Sequence, residues 1–188
     1  IGRCVVAGGI RRSAQIAFGE PDDSQFLGLK TDEDKVNEYR WVSNNSIFAE
    51  VGMDYSDAAR YTVENGEPGY LWLDNARVYG RMKDDPNWDD ERALGSNPCV
   101  EQTLWDKELC CLVETYPAHH ESLADYKKTL SVAYEYAKTV TLVPTQNPDT
   151  NDVMQRNRRI GCSMTGVVQA INRLGYRTFF DWCDRSYG

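Results

Sequence analysis

The apolar residues of this chain fall into short runs, and turn residues separate one run from the next. Arg3-Cys4-Val5-Val6-Ala7 predicts a strand that stops at Gly8-Gly9, with Cys4 in its core-facing pattern. Ala14 to Phe18 predicts a second strand, broken by Gly19-Glu20-Pro21-Asp22-Asp23. Thr31 to Trp41 predicts a helix, with Thr31 as its cap and Asp32, Glu33 and Asp34 in the favourable first turn. Polar Asn44-Asn45-Ser46 leads into a strand over Ile47 to Val51. Asp54 then caps a helix from Tyr55 to Asn65. Gly66-Glu67-Pro68-Gly69 is a turn before a strand at Tyr70 to Leu73. Residues 81–96 are polar, carry Pro86 and Gly95, and predict a surface loop. The longest helix starts at Ser122. Its apolar stripe is Leu123, Tyr126, Leu130, Ala133, Ala137 and Val140, at spacings of three or four, and Pro144 and Pro148 close it. Ile160 to Met164 is a strand or turn, and Gly166 to Leu174 a helix ending at Gly175. Alternating strands and helices point to an α/β fold in one domain.

Composition narrows the classes. The 188 residues carry a formal net charge of −8, which argues against non-specific nucleic-acid binding. A local basic pocket for a phosphorylated small molecule stays open. The longest apolar run falls far short of the about 20 residues of a membrane helix. No secretory signal pattern opens the chain, so a cytoplasmic setting is expected. The chain opens on Ile1 rather than Met, which suggests a piece of a longer protein. The cysteines are Cys4, Cys99, Cys110, Cys111, Cys162 and Cys183, irregularly spaced and with no CxxC pair. Neither a disulfide scaffold nor a zinc site is signalled. The two histidines, His119 and His120, are adjacent and read as exposed.

The densest chemistry lies in Asn97-Pro98-Cys99-Val100-Glu101. An amide, a thiol and a carboxylate stand at alternate positions. On an extended or looped backbone alternate side chains face one way, so all three would converge on one ligand, to bind a hydroxyl, react and move a proton. The adjacent thiols Cys110-Cys111 follow, which suits redox work. Against this stands the ordinary behaviour of buried cysteines, which pack as small inert hydrophobes. Spacing alone favours the packing reading for any single cysteine, because Asn-x-Cys-x-Glu is a weak motif.

The segment Asn97 to Glu101 resembles the active-site finger loop of ribonucleotide reductase catalytic chains. Four further segments follow the same family in its order. Cys4 to Ala14 is similar to the region around its specificity loop. Gly66-Glu67-Pro68-Gly69-Tyr70 with Asp74-Asn75 resembles its GEPG strand. Cys110 after Glu108-Leu109 is similar to its second active-site cysteine, and Arg158-Arg159-Ile160-Gly161 to another strand. The subtype resembled is the monomeric, adenosylcobalamin-dependent ribonucleoside-triphosphate reductase. Where the family usually has glycine, this chain has Val100.

The resemblance implies part of a ten-stranded α/β barrel with an inner finger loop. It implies that Cys99 is the thiyl-radical site acting at C3′ of the ribose. Glu101 would take the 3′-hydroxyl proton, and Asn97 would bind the ribose hydroxyls. Cys110 would be half of the dithiol that reduces C2′. Gly8, Gly9, Arg11, Arg12 and Ser13 would belong to the loop that senses a deoxynucleotide effector. Adenosylcobalamin and a thioredoxin-like dithiol reductant would complete the system. Asn44-Asn45-Ser46 would line the barrel or form a turn. Cys4, Cys111, Cys162 and Cys183 carry no implied role, and Cys111 reads as packing. The rivals are the same chemistry driven by a metal-radical subunit, a non-catalytic nucleotide-binding module, and a zinc-binding domain. An open piece of barrel exposes strand edges, so the isolated chain is expected to fold poorly and to be inactive.

Overall fold

The computed structural model describes residues 1–8, 14–82 and 85–187. They group into two compact units, Ile1–Asp106 and Lys107–Gly188.

The first unit is built on a parallel sheet of three strands, β1 (Gln15–Gly19), β2 (Ser43–Phe48) and β3 (Gly69–Leu71), in that spatial order. Helices α2 (Ser24–Leu27) and α3 (Glu33–Glu38) join β1 to β2, and α4 (Ser56–Asn65) joins β2 to β3. Parallel pairing requires such crossovers. The register Phe18↔Ser46 and Phe48↔Leu71 sorts the side chains between two faces. Ile47, fully buried, packs with Leu27 of α2 and Ala58 of α4 on the helical face. Phe18, Phe48 and Leu71 pack with Leu73, Ala93 and Trp105 on the other. The Phe18 and Phe48 rings stack at 5.3 Å.

Local chemistry sets most boundaries. The Asp32 carboxylate, not Thr31, caps α3 by accepting from Lys35 N. The Thr31 hydroxyl instead donates to the Gly28 carbonyl at 2.8 Å. Gly66 ends α4 in the left-handed conformation at φ +85, which glycine adopts without a Cβ clash. Glu67 of the same turn is paired with Lys30 at 2.9 Å, and Lys30 also donates to the Ser43 carbonyl at the start of β2. The Gly-Glu-Pro-Gly turn is thereby tied to the central strand.

Several expectations are corrected. Gly2–Ala7 is a helix, α1, not a strand, and Cys4 is exposed. A lone strand with no neighbour to pair has no ladder to join, whereas a helix satisfies its own backbone. Asn44, Asn45 and Ser46, left open between barrel lining and a turn, are strand residues of β2, which starts at Ser43 rather than Ile47. The strand at Tyr70 ends at Leu71, and a helix, α5 (Leu73–Val78), follows. Residues 81–96 are not simply a surface loop. Ala93 and Asp90 are buried, Asp90 bonded by Thr103 at 3.0 Å and paired with Arg81. This segment leads into a two-stranded antiparallel hairpin, β4 (Gly95–Ser96) and β5 (Thr103–Leu104).

The second unit pairs β6 (Leu112–Thr115) with β7 (Gly161–Met164) in parallel. Between them run α6 (Leu123–Val140) and α7 (Pro148–Asn157). Ser122 caps α6 through Asp125 N, as its sequence position predicts. Tyr126, Leu130, Ala133 and Ala137 of the stripe are buried, while Val140 at its end is exposed. Pro148 does not close α6. It opens α7, where its missing N–H costs nothing. Helix α8 (Val167–Leu174) ends at Gly175 as expected, and α9 (Tyr176–Tyr187) adds Trp182 to the Tyr126–Leu130 core. His120 is half-buried rather than exposed, held by Asp125 at 2.9 Å. Among the described residues no helix is long and apolar enough to cross a membrane. The strands seen form three small sheets.

Ile47 sits at the centre of the first unit's helical core. Ile47→Ala is expected to destabilise that unit by about 2–5 kcal/mol through lost burial and the cavity left behind. Urea unfolding of the complete protein carrying this sequence, followed by circular dichroism against wild type, measures it.

Candidate active site

The β4–β5 hairpin lies on the sheet face opposite the helices. Gly95 is close-packed there, because a Cβ at that position would come within 2.9 Å of the Phe18 ring. The tip, residues 97–102, is closed by a clasp between its two ends. Asn97 N donates to the Gln102 carbonyl at 3.0 Å, and the Asn97 side-chain Oδ1 accepts from Gln102 N at 3.0 Å. Between them Val100 N donates to the Asn97 carbonyl at 2.9 Å, which makes residues 97–100 a tight turn with Pro98 in its second position. A second brace comes from β2, whose Asn44 donates from Nδ2 to the Pro98 carbonyl at 2.5 Å.

This geometry corrects the expectation that the Asn97, Cys99 and Glu101 side chains all face one way. The turn does not alternate side chains as a strand would. Asn97 is buried, with its Oδ1 engaged by the backbone of Gln102, while Cys99 and Glu101 are exposed at the tip. The structure therefore places a fixed amide beneath a presented thiol and carboxylate. Val100 adopts φ +66. The left-handed region costs an L residue roughly 1–2 kcal/mol and is least suited to a β-branched one. A glycine there, the residue of the resembled loop, carries no such cost. Gln102 is buried too, and neither atom of its carboxamide has a hydrogen-bond partner. An unsatisfied buried amide costs about 1–3 kcal/mol.

In the second unit, exposed Cys110 precedes β6 on a loop held by a buried ion pair. Glu108 is bonded by Arg159 Nε at 3.1 Å and by Asn157 Nδ2 at 3.1 Å, with the carboxylate wholly enclosed. Leu109 N meets the Met154 sulfur at 3.3 Å, and Gly161 N donates to the Cys111 carbonyl at 2.9 Å. Gly161 also allows Leu112 to lie close, since a Cβ there would fall 2.3 Å from Leu112 Cδ2. Arg158 turns left-handed at φ +48 to end α7, and donates from Nε to Thr141 Oγ1 at 2.5 Å and from its terminal nitrogen to the Lys138 carbonyl at 2.8 Å. The Arg158-Arg159-Ile160-Gly161 segment thus braces the Cys110 loop rather than facing solvent.

The remaining candidates divide. Gly8 caps α1. Gly9, Arg11, Arg12 and Ser13 lie outside the described residues. Cys111, Cys162 and Cys183 are half-buried. Burial pushes all three thiols up from the ordinary cysteine value; Glu108 adds to the effect at Cys111, while at Cys162 a hydrogen bond with Tyr187 opposes it and Glu114 adds to it. Among the described residues no three His, Cys, Asp or Glu side chains are grouped to hold a metal ion. Sequence reasoning missed the roles of Asn44, Gln102 and Asn157, and gave Glu108 and Arg159 only as motif letters. Asn44 left a weak signal as part of the polar run Ser43 to Ser46 ahead of an apolar strand.

No protein-family model matches the chain. Curated proteins do. It is 54% identical over 189 residues to the adenosylcobalamin-dependent ribonucleoside-triphosphate reductase of Euglena gracilis, covering 100% of this chain and 26% of that protein. A probable enzyme of the same name from Dictyostelium discoideum is 54% identical over 188 residues, and that of Lactobacillus leichmannii is 40% identical over 181. This chain is a ribonucleotide reductase homologue. A crystal structure of a B12-dependent, class II ribonucleotide reductase superposes with a TM-score of 0.76 at 37% identity, covering 94% of this chain and 24% of that one. The fold is therefore of the ribonucleotide reductase type. The chain spans about a quarter of the length of the curated reductases it matches.

Two outcomes test this geometry. Removing one partner of the Glu108–Arg159 pair leaves a buried charge, so Arg159→Met is expected to cost about 3–5 kcal/mol in denaturant unfolding. Thiol alkylation followed by mass spectrometry should find the exposed Cys4, Cys99 and Cys110 fastest at pH 8. Cys111, Cys162 and Cys183 should lag, because a raised pKa lowers the thiolate fraction at that pH. Their rates should keep rising with pH beyond the ordinary thiol range.

Proposed function

We propose that the chain is the catalytic core segment of a ribonucleotide reductase that reduces ribonucleoside triphosphates to 2′-deoxyribonucleotides with adenosylcobalamin. The observation that carries this reading is Cys99, exposed on a turn clasped by Asn97 and Gln102 and braced by Asn44, in a chain homologous along its length to such enzymes. A thiol presented at the tip of an anchored hairpin fits giving its hydrogen atom to a separate radical source and then, as a thiyl radical, taking one from a substrate. When bound, adenosylcobalamin supplies the radical chemistry. No residue of this chain is assigned to holding its corrin ring.

In this reading Cys99, as a thiyl radical, takes the hydrogen from C3′ of the ribose. Glu101, two residues away and equally exposed, takes the 3′-hydroxyl proton. Asn97 is held in one orientation by Gln102, which limits the entropy lost when it bonds the ribose hydroxyls. Cys110 supplies one thiol of the pair that reduces C2′ and ends as a disulfide, to be restored by a thioredoxin-like dithiol. The loop from Gly8 to Ser13 senses a deoxynucleotide effector, with Arg11 and Arg12 suited to phosphate. The strands form part of a ten-stranded barrel, with the hairpin inside it and the helices outside. The hairpin lying on the face of the β1–β2–β3 sheet opposite α2 and α4 supports that arrangement. The complete enzyme works as a monomer in the cytoplasm.

The test uses the complete reductase carrying this sequence, a ribonucleoside triphosphate and a dithiol. Activity is expected only with adenosylcobalamin, and Cys99→Ser is expected to abolish it. Equal activity in Cys99→Ser would overturn the assignment. Activity that instead requires an added metal-radical subunit would keep Cys99 and replace the cofactor.

A further inference from the structure

The hairpin tip holds two unfavourable features two residues apart. The Gln102 carboxamide is buried, the residue being only 5% exposed, and neither its oxygen nor its nitrogen has a partner. Val100, β-branched, is held at φ +66. A methionine at position 102 would fill the same space without a buried polar group, and a glycine at 100 would remove the second cost.

One movement relieves both. The Val100 N–H to Asn97 carbonyl bond belongs to the tight turn that puts Val100 in the left-handed region. Carrying Val100 to an extended conformation opens that bond and releases one N–H and one C=O. Both then need partners. A carboxamide offers an acceptor oxygen and a donor nitrogen in one plane, the complement of a peptide group. The Asn97 Oδ1 to Gln102 N bond does not involve Val100, so the clasp stays closed while the intervening residues shift. The residue between Pro98 and Val100 is Cys99.

We propose that Gln102 is a positioning residue for the Cys99 turn: its main chain holds Asn97, and its carboxamide takes up the peptide groups freed when the turn moves Cys99 into its working position. The turn thus has two states with matched hydrogen bonding, a resting one strained at Val100 and an engaged one held by Gln102. Strain stored at one residue is relieved in the step that needs it. The proposal rests on the reading of Cys99 as the reactive thiol.

The test is made in the complete reductase with Gln102→Met. A positioning role predicts a thermal midpoint equal to or above wild type and a kcat lowered about tenfold, with KM little changed. Alkylation of Cys99 should change by about threefold or more relative to Cys110, since the turn's equilibrium is altered. Val100→Gly removes the resting strain, so the effects of Val100→Gly and Gln102→Met should be non-additive in kcat. A higher thermal midpoint with unchanged kcat and unchanged Cys99 alkylation overturns the proposal, because the amide is then a packing defect alone. If Gln102→Met does not fold, Gln102→Glu decides, since it keeps the shape and an acceptor but loses the amide donors. Unchanged kcat in that variant overturns the proposal. Failure of the functional reading is read separately, from wild-type activity and Cys99→Ser. In that event equal Cys99 alkylation in wild type and Gln102→Met still rejects the link between Gln102 and the turn.

Discussion

The clasp between Asn97 and Gln102 governs the tip of the first unit. Two hydrogen bonds of 3.0 Å, one from main chain to main chain and one from main chain to side chain, close six residues into a loop. Short hairpins are marginal alone in water. This one is held by the clasp at one end and by Gly95 against Phe18 at the other. Cys99 and Glu101 are exposed because the clasp directs Asn97 inward and leaves the intervening residues outward. Without it the segment would be a short polar loop with no fixed orientation.

The sheet beneath supplies the second constraint. A parallel sheet flanked on one face by helices normally needs cover on the other. Here the hairpin and the segment carrying Ala93 provide that cover, through Phe18, Phe48, Leu71 and Trp105. The apolar contacts that bury the sheet therefore also seat the candidate site. Asn44 links the two directly, since a polar residue in the central strand reaches the turn's Pro98 carbonyl. In the second unit the corresponding device is electrostatic. Glu108 and Arg159 are 51 positions apart and enclosed together, and they fix the loop that presents Cys110.

Legibility in the sequence followed the range of the interaction. Ser122 as a cap, the Tyr126–Leu130–Ala133–Ala137 stripe and the end of α8 at Gly175 were readable, because each depends on neighbours within about one helical turn. The Asn97, Cys99, Glu101 and Cys110 set was recognisable as a pattern of chemical groups. The failures arose where a local preference lost to its surroundings. Val5 and Val6 favour a strand, yet the segment is helical. Pro148 reads as a stop for α6 and is instead the start of α7. The polar residues 81–96 read as solvent-facing, yet Asp90 is buried because Thr103 and Arg81 satisfy its charge.

The sequence by itself determined the chemical inventory, the alternation of strands and helices, and the likeness to ribonucleotide reductases, because composition, period and motif spacing are properties of the chain alone. Only the tertiary structure decided that Asn97 is buried while Cys99 is presented. The same holds for Val100 being left-handed, for Asn44 reaching Pro98, and for Gln102 carrying an unpartnered amide into the interior. Each of these depends on which distant backbone groups arrive beside a given side chain. Hydrogen bonding is short-ranged and directional, so that outcome exists only once the chain has packed.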